Sequence, residues 1–136
     1  MMTDPLPSSS EETPGKAKAK LRVLVVEDHA ATRAAMGRVI RQAGAEVTTA
    51  RDGEEALGYL LTGYFDVLLT DLRMPKVDGF ELMQHCETMP QPHRPKRVIA
   101  ISGEYDASAL HGHSVQFLAK PLDLAALLNM LEGRLN

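Results

Sequence analysis

Cysteine is almost missing from this chain of 136 residues: Cys86 stands alone. No internal disulfide can form, and nothing in cysteine usage points to an oxidising compartment. Charge of one sign is also scarce. The 15 basic and 18 acidic residues leave a formal net charge of -3, which gives no bulk attraction for nucleic acid. There is no tryptophan and there are only three tyrosines, so intrinsic fluorescence is a poor reporter. No apolar run approaches the roughly 20 residues of a membrane span. Met1 to Ser10 is polar and carries prolines and serines, unlike a signal peptide. These absences set the expectation of a cytoplasmic protein with no membrane insertion and no direct nucleic acid binding. The length fits one domain burying roughly two thirds of its unfolded surface.

Residues 1–20 read as a disordered tail or linker, and 21–136 as the domain. Pro5, Pro7, Ser8, Ser9, Ser10, Glu11, Glu12, Pro14 and Gly15 cannot build a core segment. Lys16, Lys18 and Lys20 alternate with alanines as a solvated lead-in.

From Leu21 onward, apolar runs alternate with helical patterns. Strand one is Leu21 to Val26, apolar without alternation, as a strand covered on both faces should be. Met36, Val39, Ile40 and Ala43 mark the apolar face of the helix that follows, and Gly44 ends it. Strand two is Glu46 to Thr49. Asp52 with Glu55 reads as a capping box opening helix two, with Ala56, Leu57, Leu60 and Leu61 facing the sheet and Gly63 as the stop. Strand three, Val67 to Thr70, is a buried run that ends in Asp71. Asp78 with Glu81 caps helix three, on which Phe80, Leu82, Met83 and Cys86 lie near the buried face. Strand four is Arg97 to Ser102, and strand five is Val115 to Ala119. Leu122, Leu124, Leu127, Leu128 and Leu131 form the stripe of a last helix. Regular strand-helix alternation with short connections means an α/β domain with a parallel sheet and right-handed crossovers.

The chemistry-bearing residues fall just beyond strand ends. Glu27 and Asp28 follow strand one, Asp71 strand three, Ser102 strand four and Lys120 strand five. Three carboxylates at one sheet edge repel one another and call for a hard cation with oxygen ligands. Lys120 offers a point charge suited to phosphate, and Ser102 a hydroxyl donor. A divalent metal, a lysine and a hydroxyl around one aspartate are the parts needed for phosphoryl transfer to that aspartate. The bland alternative makes Asp28 a helix cap and the loop merely solvated.

Four motifs in order carry a resemblance: Val25-Val26-Glu27-Asp28, Asp71 through Gly79, Ser102-Gly103, and Lys120-Pro121. Together they resemble the receiver domain of two-component response regulators, over about residues 21–134. The resemblance implies a flavodoxin-like five-stranded parallel sheet of order 2-1-3-4-5 with helices on both faces. It implies Asp71 as phosphoacceptor, with Glu27, Asp28, Asp71 and the backbone carbonyl of Arg73 around Mg2+, for which Mn2+ could substitute. Lys120 and Ser102 would bind phosphoryl oxygens, and Ser102 and Phe117 would form the switch. The Lys120-Pro121 bond would be cis. By the same resemblance, Arg73 and Gly103 would sit where relatives vary and where side chains tune phosphoaspartate lifetime. The donor would be a sensor histidine kinase or a histidine phosphotransfer protein, and the output an unknown downstream protein. Such a domain is no conventional enzyme, yet it promotes its own phosphorylation and dephosphorylation.

Glu27 stands where Asp is more frequent, and Phe117 lacks the hydroxyl that Tyr brings in many relatives. Ser102 to Lys120 is about one helical turn shorter than in most relatives. The helix between strands four and five, Tyr105 to His113, is therefore expected to be short or irregular, and the chain to be a monomer or weak dimer. Competing readings are a phosphorylation-independent adaptor, a receiver excised from a hybrid kinase or larger regulator, a flavoprotein, and a metal site at His111 and His113. Glu27-Asp28 would repel the phosphate of a flavin, and two histidines fall short of a structural zinc set.

Overall fold

The computed structural model describes residues 20–73, 78–90, 93–103 and 115–135. Outside that set lie the expected helix from Tyr105 to His113, the His111 and His113 pair, the tail before Lys20 and the turn from Met74 to Val77.

The elements run β1 (Arg22–Val26), α1 (Ala30–Gln42), β2 (Glu46–Ala50), α2 (Gly53–Thr62), β3 (Val67–Asp71), α3 (Gly79–Thr88), β4 (Arg97–Ser102), β5 (Gln116–Ala119) and α4 (Leu124–Leu135). The five strands form one sheet in the order β2-β1-β3-β4-β5, every neighbouring pair parallel. This is the sheet order expected from the resemblance.

Alternate residues of each central strand serve opposite faces. Val23 and Val25 of β1, Val67 and Leu69 of β3, and Ile99 and Ile101 of β4 pack with Met36 and Ile40 of α1 and Leu127 and Leu131 of α4. Leu24, Val26 and Leu68 point the other way, against Ala56 and Leu60 of α2 and Leu82 and Cys86 of α3. Burial on both faces is why these strands read as continuous apolar runs.

Two helix readings need correction. Leu61 does not face the sheet: it is 60% exposed, while Leu60 is fully buried. The 3.6-residue period puts Ala56 and Leu60 on one line and turns the next leucine outward. The capping box at Asp52 is half formed. Asp52 accepts from Glu55 N at 2.8 Å, but the Glu55 side chain accepts from Arg51 N rather than from the cap. At Asp78 and Glu81 both reciprocal bonds are present.

The amino-terminal edge of the sheet is closed by Asp66. Its Oδ2 accepts from Arg22 N at 2.9 Å, its N donates to Arg22 O, and its O accepts from Lys96 N and Arg97 N. Arg97 also donates to Gln116 Oε1 and to Met130 O, fastening β5 and α4 to β4. At the carboxyl edge, β1, β3, β4 and β5 all deliver their ends to one place.

Candidate functional site

Glu27 follows the last residue of β1 and still obeys the sheet ladder, its N donating to Ala50 O at 3.0 Å. That constraint buries its side chain, and the residue is 1% exposed. Glu27 Oε2 accepts from His29 N at 3.0 Å. Among the described residues, Glu27 Oε1 has no hydrogen-bond partner, although Lys120 Nζ stands 3.7 Å away. Burial pushes the Glu27 carboxyl above its usual range. The His29 N–H opposes this, the charges of Asp71 and Asp28 reinforce it, and Lys120 lowers it.

Asp71 ends β3 in register with Ile101 and is 3% exposed. Its Oδ1 accepts from Arg73 N at 3.1 Å and its Oδ2 from Lys120 Nζ at 2.8 Å. Lys120 follows β5, where its N donates to Ser102 O at 2.9 Å, and its bond to Pro121 is cis, as the resemblance implies. Burial acts to lower the Lys120 pKa, but the hydrogen bond and charge of Asp71, with the charges of Glu27 and Asp28, outweigh it. The net direction is up, holding the ammonium charged.

Asp28 is exposed at the rim. One carboxylate oxygen from each of Glu27, Asp28 and Asp71 lies within 4.8 Å of the others. One lysine against three carboxylates leaves the cluster negative. An all-oxygen set with an orphaned buried Oε1 fits a hard divalent cation such as Mg2+ or Mn2+.

The expected site residues Glu27, Asp28, Asp71, Ser102 and Lys120 therefore converge on one edge. Ser102 closes β4 and is buried. Arg73 is exposed and touches the cluster through its backbone N. Phe117 of β5 is half-buried against the cluster of Leu72, Met83 and Ala100. Gly103 leaves room for Lys120, since a Cβ there would stand 3.3 Å from Lys120 Cβ.

Three features escaped the sequence reading. The cap of α1 is His29, not Asp28: its Nδ1 accepts from Thr32 N at 3.3 Å and lies 2.8 Å from Thr32 Oγ1. Asp28 is thereby left out of the capping role. Arg33, in the first turn of α1, donates from Nη1 to Glu27 O at 2.9 Å and to Asp28 O at 3.3 Å. Gly79 lies so close to the end of β3 that a Cβ would meet Asp71 O and stand 2.6 Å from Leu72 Cα. A basic residue five places after an acidic pair, and a glycine right after a helix cap, are the sequence signals for the last two.

The family model described as response regulator receiver domain matches residues 23–132. The gliding motility regulatory protein of Myxococcus xanthus is 38% identical over 90 residues, 66% of this chain and 12% of its own length. The DNA-binding transcriptional regulator NtrC of Salmonella typhimurium is 32% identical over 112 residues, 81% of this chain and 24% of its own length. The chain thus spans a quarter or less of these curated relatives. Among solved structures, the chemotaxis protein CheY4 of Vibrio cholerae superposes with a TM-score of 0.76 at 29% identity, covering 85% of this chain and 98% of that one.

Proposed function

The chain belongs to the response regulator receiver domain family, and we propose that it takes a phosphoryl group from a phosphohistidine onto Asp71 and switches its protein contacts in response. The observation that carries the reading is Asp71 itself. It is a nearly buried carboxylate at the carboxyl end of the central strand, with an ammonium at 2.8 Å and two further carboxylates converging on it.

In the proposed step an Asp71 oxygen forms a P–O bond as the P–N bond to the donor histidine breaks. The histidine nitrogen keeps the electron pair and takes up a proton. Lys120 passes from Asp71 Oδ2 to a phosphoryl oxygen, which holds the transferred group without covalent chemistry of its own. The Ser102 hydroxyl, one strand away, binds a second oxygen. Movement of Ser102 toward that oxygen alters the space beside Phe117 on the neighbouring strand, and this is the proposed switch. A divalent cation, Mg2+ or Mn2+, held by Glu27, Asp28, Asp71 and the Arg73 carbonyl, would neutralise charge on the phosphoryl oxygens. The same residues promote the later loss of the group to water.

The proposed donor is a sensor histidine kinase or a histidine phosphotransfer protein, and the proposed receiver of the signal a downstream protein rather than nucleic acid. The proposed location is the cytoplasm. No helix among the described residues is long and apolar enough to cross a membrane.

Incubation with acetyl phosphate and magnesium tests the reading. Intact-protein mass spectrometry should find one phosphoryl group on the wild type and none on Asp71→Asn or on chelated protein. Equal labelling of Asp71→Ala would remove Asp71 from its role.

A further inference from the structure

We propose that Arg33 is a positioning residue for cation loading, acting through the backbone of the loop that carries Glu27 and Asp28. The inference rests on the reading of Glu27, Asp28 and Asp71 as cation ligands.

Those two ligands sit on consecutive residues between β1 and α1. Glu27 is fixed on the strand side by its ladder bond to Ala50 O. Asp28 has no such anchor and is exposed. With three carboxylates in one place, repulsion favours any backbone rotation that swings Asp28 into water. Arg33 blocks that rotation. Its Nη1 reaches back from α1 to the carbonyls of both Glu27 and Asp28. A single nitrogen bonded to two successive carbonyls holds both C=O groups on one side of the loop and so fixes the direction from which the two side chains leave it. The arginine is held in turn, because its own N donates to His29 O at 2.9 Å inside the helix. Its guanidinium is thus turned to the loop backbone.

The positive charge matters as well as the shape. Charge-assisted bonds to carbonyl oxygens are stronger than neutral ones. They hold the loop in its ligand-gathering form before any cation arrives. Loss of this kind of outer support typically weakens metal affinity about 10- to 100-fold. An arginine that served only to cap the helix would, on removal, lower stability and leave affinity untouched.

The experiment uses the full chain as wild type, Arg33→Ala, Arg33→Gln, Arg33→Lys and Asp28→Asn. Electron paramagnetic resonance counts free Mn2+ in titrations of each, with circular dichroism reporting the fold. Labelling by acetyl phosphate is followed against magnesium concentration in parallel. Arg33→Ala and Arg33→Gln should each weaken Mn2+ binding about tenfold, and Arg33→Lys should recover much of that loss. The magnesium concentration for half-maximal labelling should rise in step, while the rate at saturating magnesium stays within about twofold of wild type. Mn2+ affinity within about twofold of wild type in whichever of Arg33→Ala and Arg33→Gln is folded would overturn the proposal, as would an equal fall in saturated rate without a metal shift. If wild type takes up no Mn2+, or Asp28→Asn takes it up as well as wild type, the ligand assignment itself fails and the role of Arg33 falls with it.

Discussion

Gly79→Ala should be far more damaging than one added methyl suggests. Gly79 is the first residue of α3, and only Gly44 among the described glycines has a positive φ. The demand at position 79 is therefore steric, not conformational. A Cβ there would run into Asp71 O, stand 2.6 Å from Leu72 Cα and 3.0 Å from Leu72 Cδ2. The first two are backbone atoms and cannot rotate aside. Either α3 lifts off or the end of β3 shifts. Overpacking of this kind costs about 1–3 kcal/mol. The bond from Gly79 N to Leu72 O, 3.2 Å long, would stretch and lose about 1 kcal/mol. The less flexible unfolded chain returns about 0.4–1 kcal/mol. The net expectation is a loss of about 2 kcal/mol. Gly58→Ala is the matched control. It lies mid-helix in α2 with nothing within 4 Å of an added Cβ, so alanine should stabilise by about 0.5–1 kcal/mol. Urea unfolding followed by far-ultraviolet circular dichroism reads both. At a typical slope of about 1.5 kcal/mol/M, the Gly79→Ala midpoint should fall by about 1.3 M. Labelling of Asp71 should fall with it, because the displaced atoms belong to Asp71 and Leu72. A Gly79→Ala stability within about 0.5 kcal/mol of wild type would refute the reasoning, given the roughly 1–3 kcal/mol scale of overpacking.

Other expectations follow from neighbouring elements. Leu60→Ala should cost about 2–5 kcal/mol and Leu61→Ala under about 0.5 kcal/mol, in the same urea assay; equal losses would contradict the burial of Leu60 and the 60% exposure of Leu61. Asp78→Ala, which removes the cap from a complete capping box, should cost about 1 kcal/mol in thermal or urea unfolding. Burial pushes the Cys86 thiol from its ordinary 9.0 up to about 12. A native thiol reagent assay should therefore find it inert until the protein unfolds, and its contribution to stability should be complete below 9.0 and lost as pH climbs toward about 12, because the unfolded chain releases the proton first. Magnesium should raise the melting midpoint by mass action, chelation should remove the gain, and Asp28→Asn should show little of it.

Most of this fold was legible because two signals agreed. Buried central strands read as unbroken apolar runs, and each was followed closely by a charged or turn-forming residue. Strand four was read as Arg97 to Ser102 and is so bounded; strand five was read from Val115 and begins at Gln116. What failed were matters of angle and reach. Leu60 and Leu61 are chemically identical, and only the rotation of α2 decides which is buried. Glu55 had two backbone N–H groups within reach, Asp52 and Arg51, and local geometry chose the second. The carboxylates were legible because charge after a buried strand is costly without a purpose. His29 and Arg33 were not read so, because their side chains bond to backbone groups, which carry no letter in the sequence.

The two ends of β3 show two different settings for an acid. Asp66 precedes β3 and Asp71 is its last residue. At Asp66 the side chain, N and O all bond to β1 or β4 backbone, and Lys96 Nζ lies 3.9 Å from its carboxylate. Its bonding is consumed in holding strands in register. At Asp71 the acid meets two more carboxylates, one of which has a buried oxygen with no hydrogen bond among the described residues. Bringing these charges together works against folding, since buried like charges raise the free energy of the native state. The apolar layers on both faces of the sheet must supply the compensation, and α1 and α4 on one side with α2 and α3 on the other do so. A cation that relieves the repulsion would bind with that stored difference in its favour. Sensitivity to charge at this edge is thus the consequence of leaving it unsatisfied, while the opposite edge is closed by its own backbone.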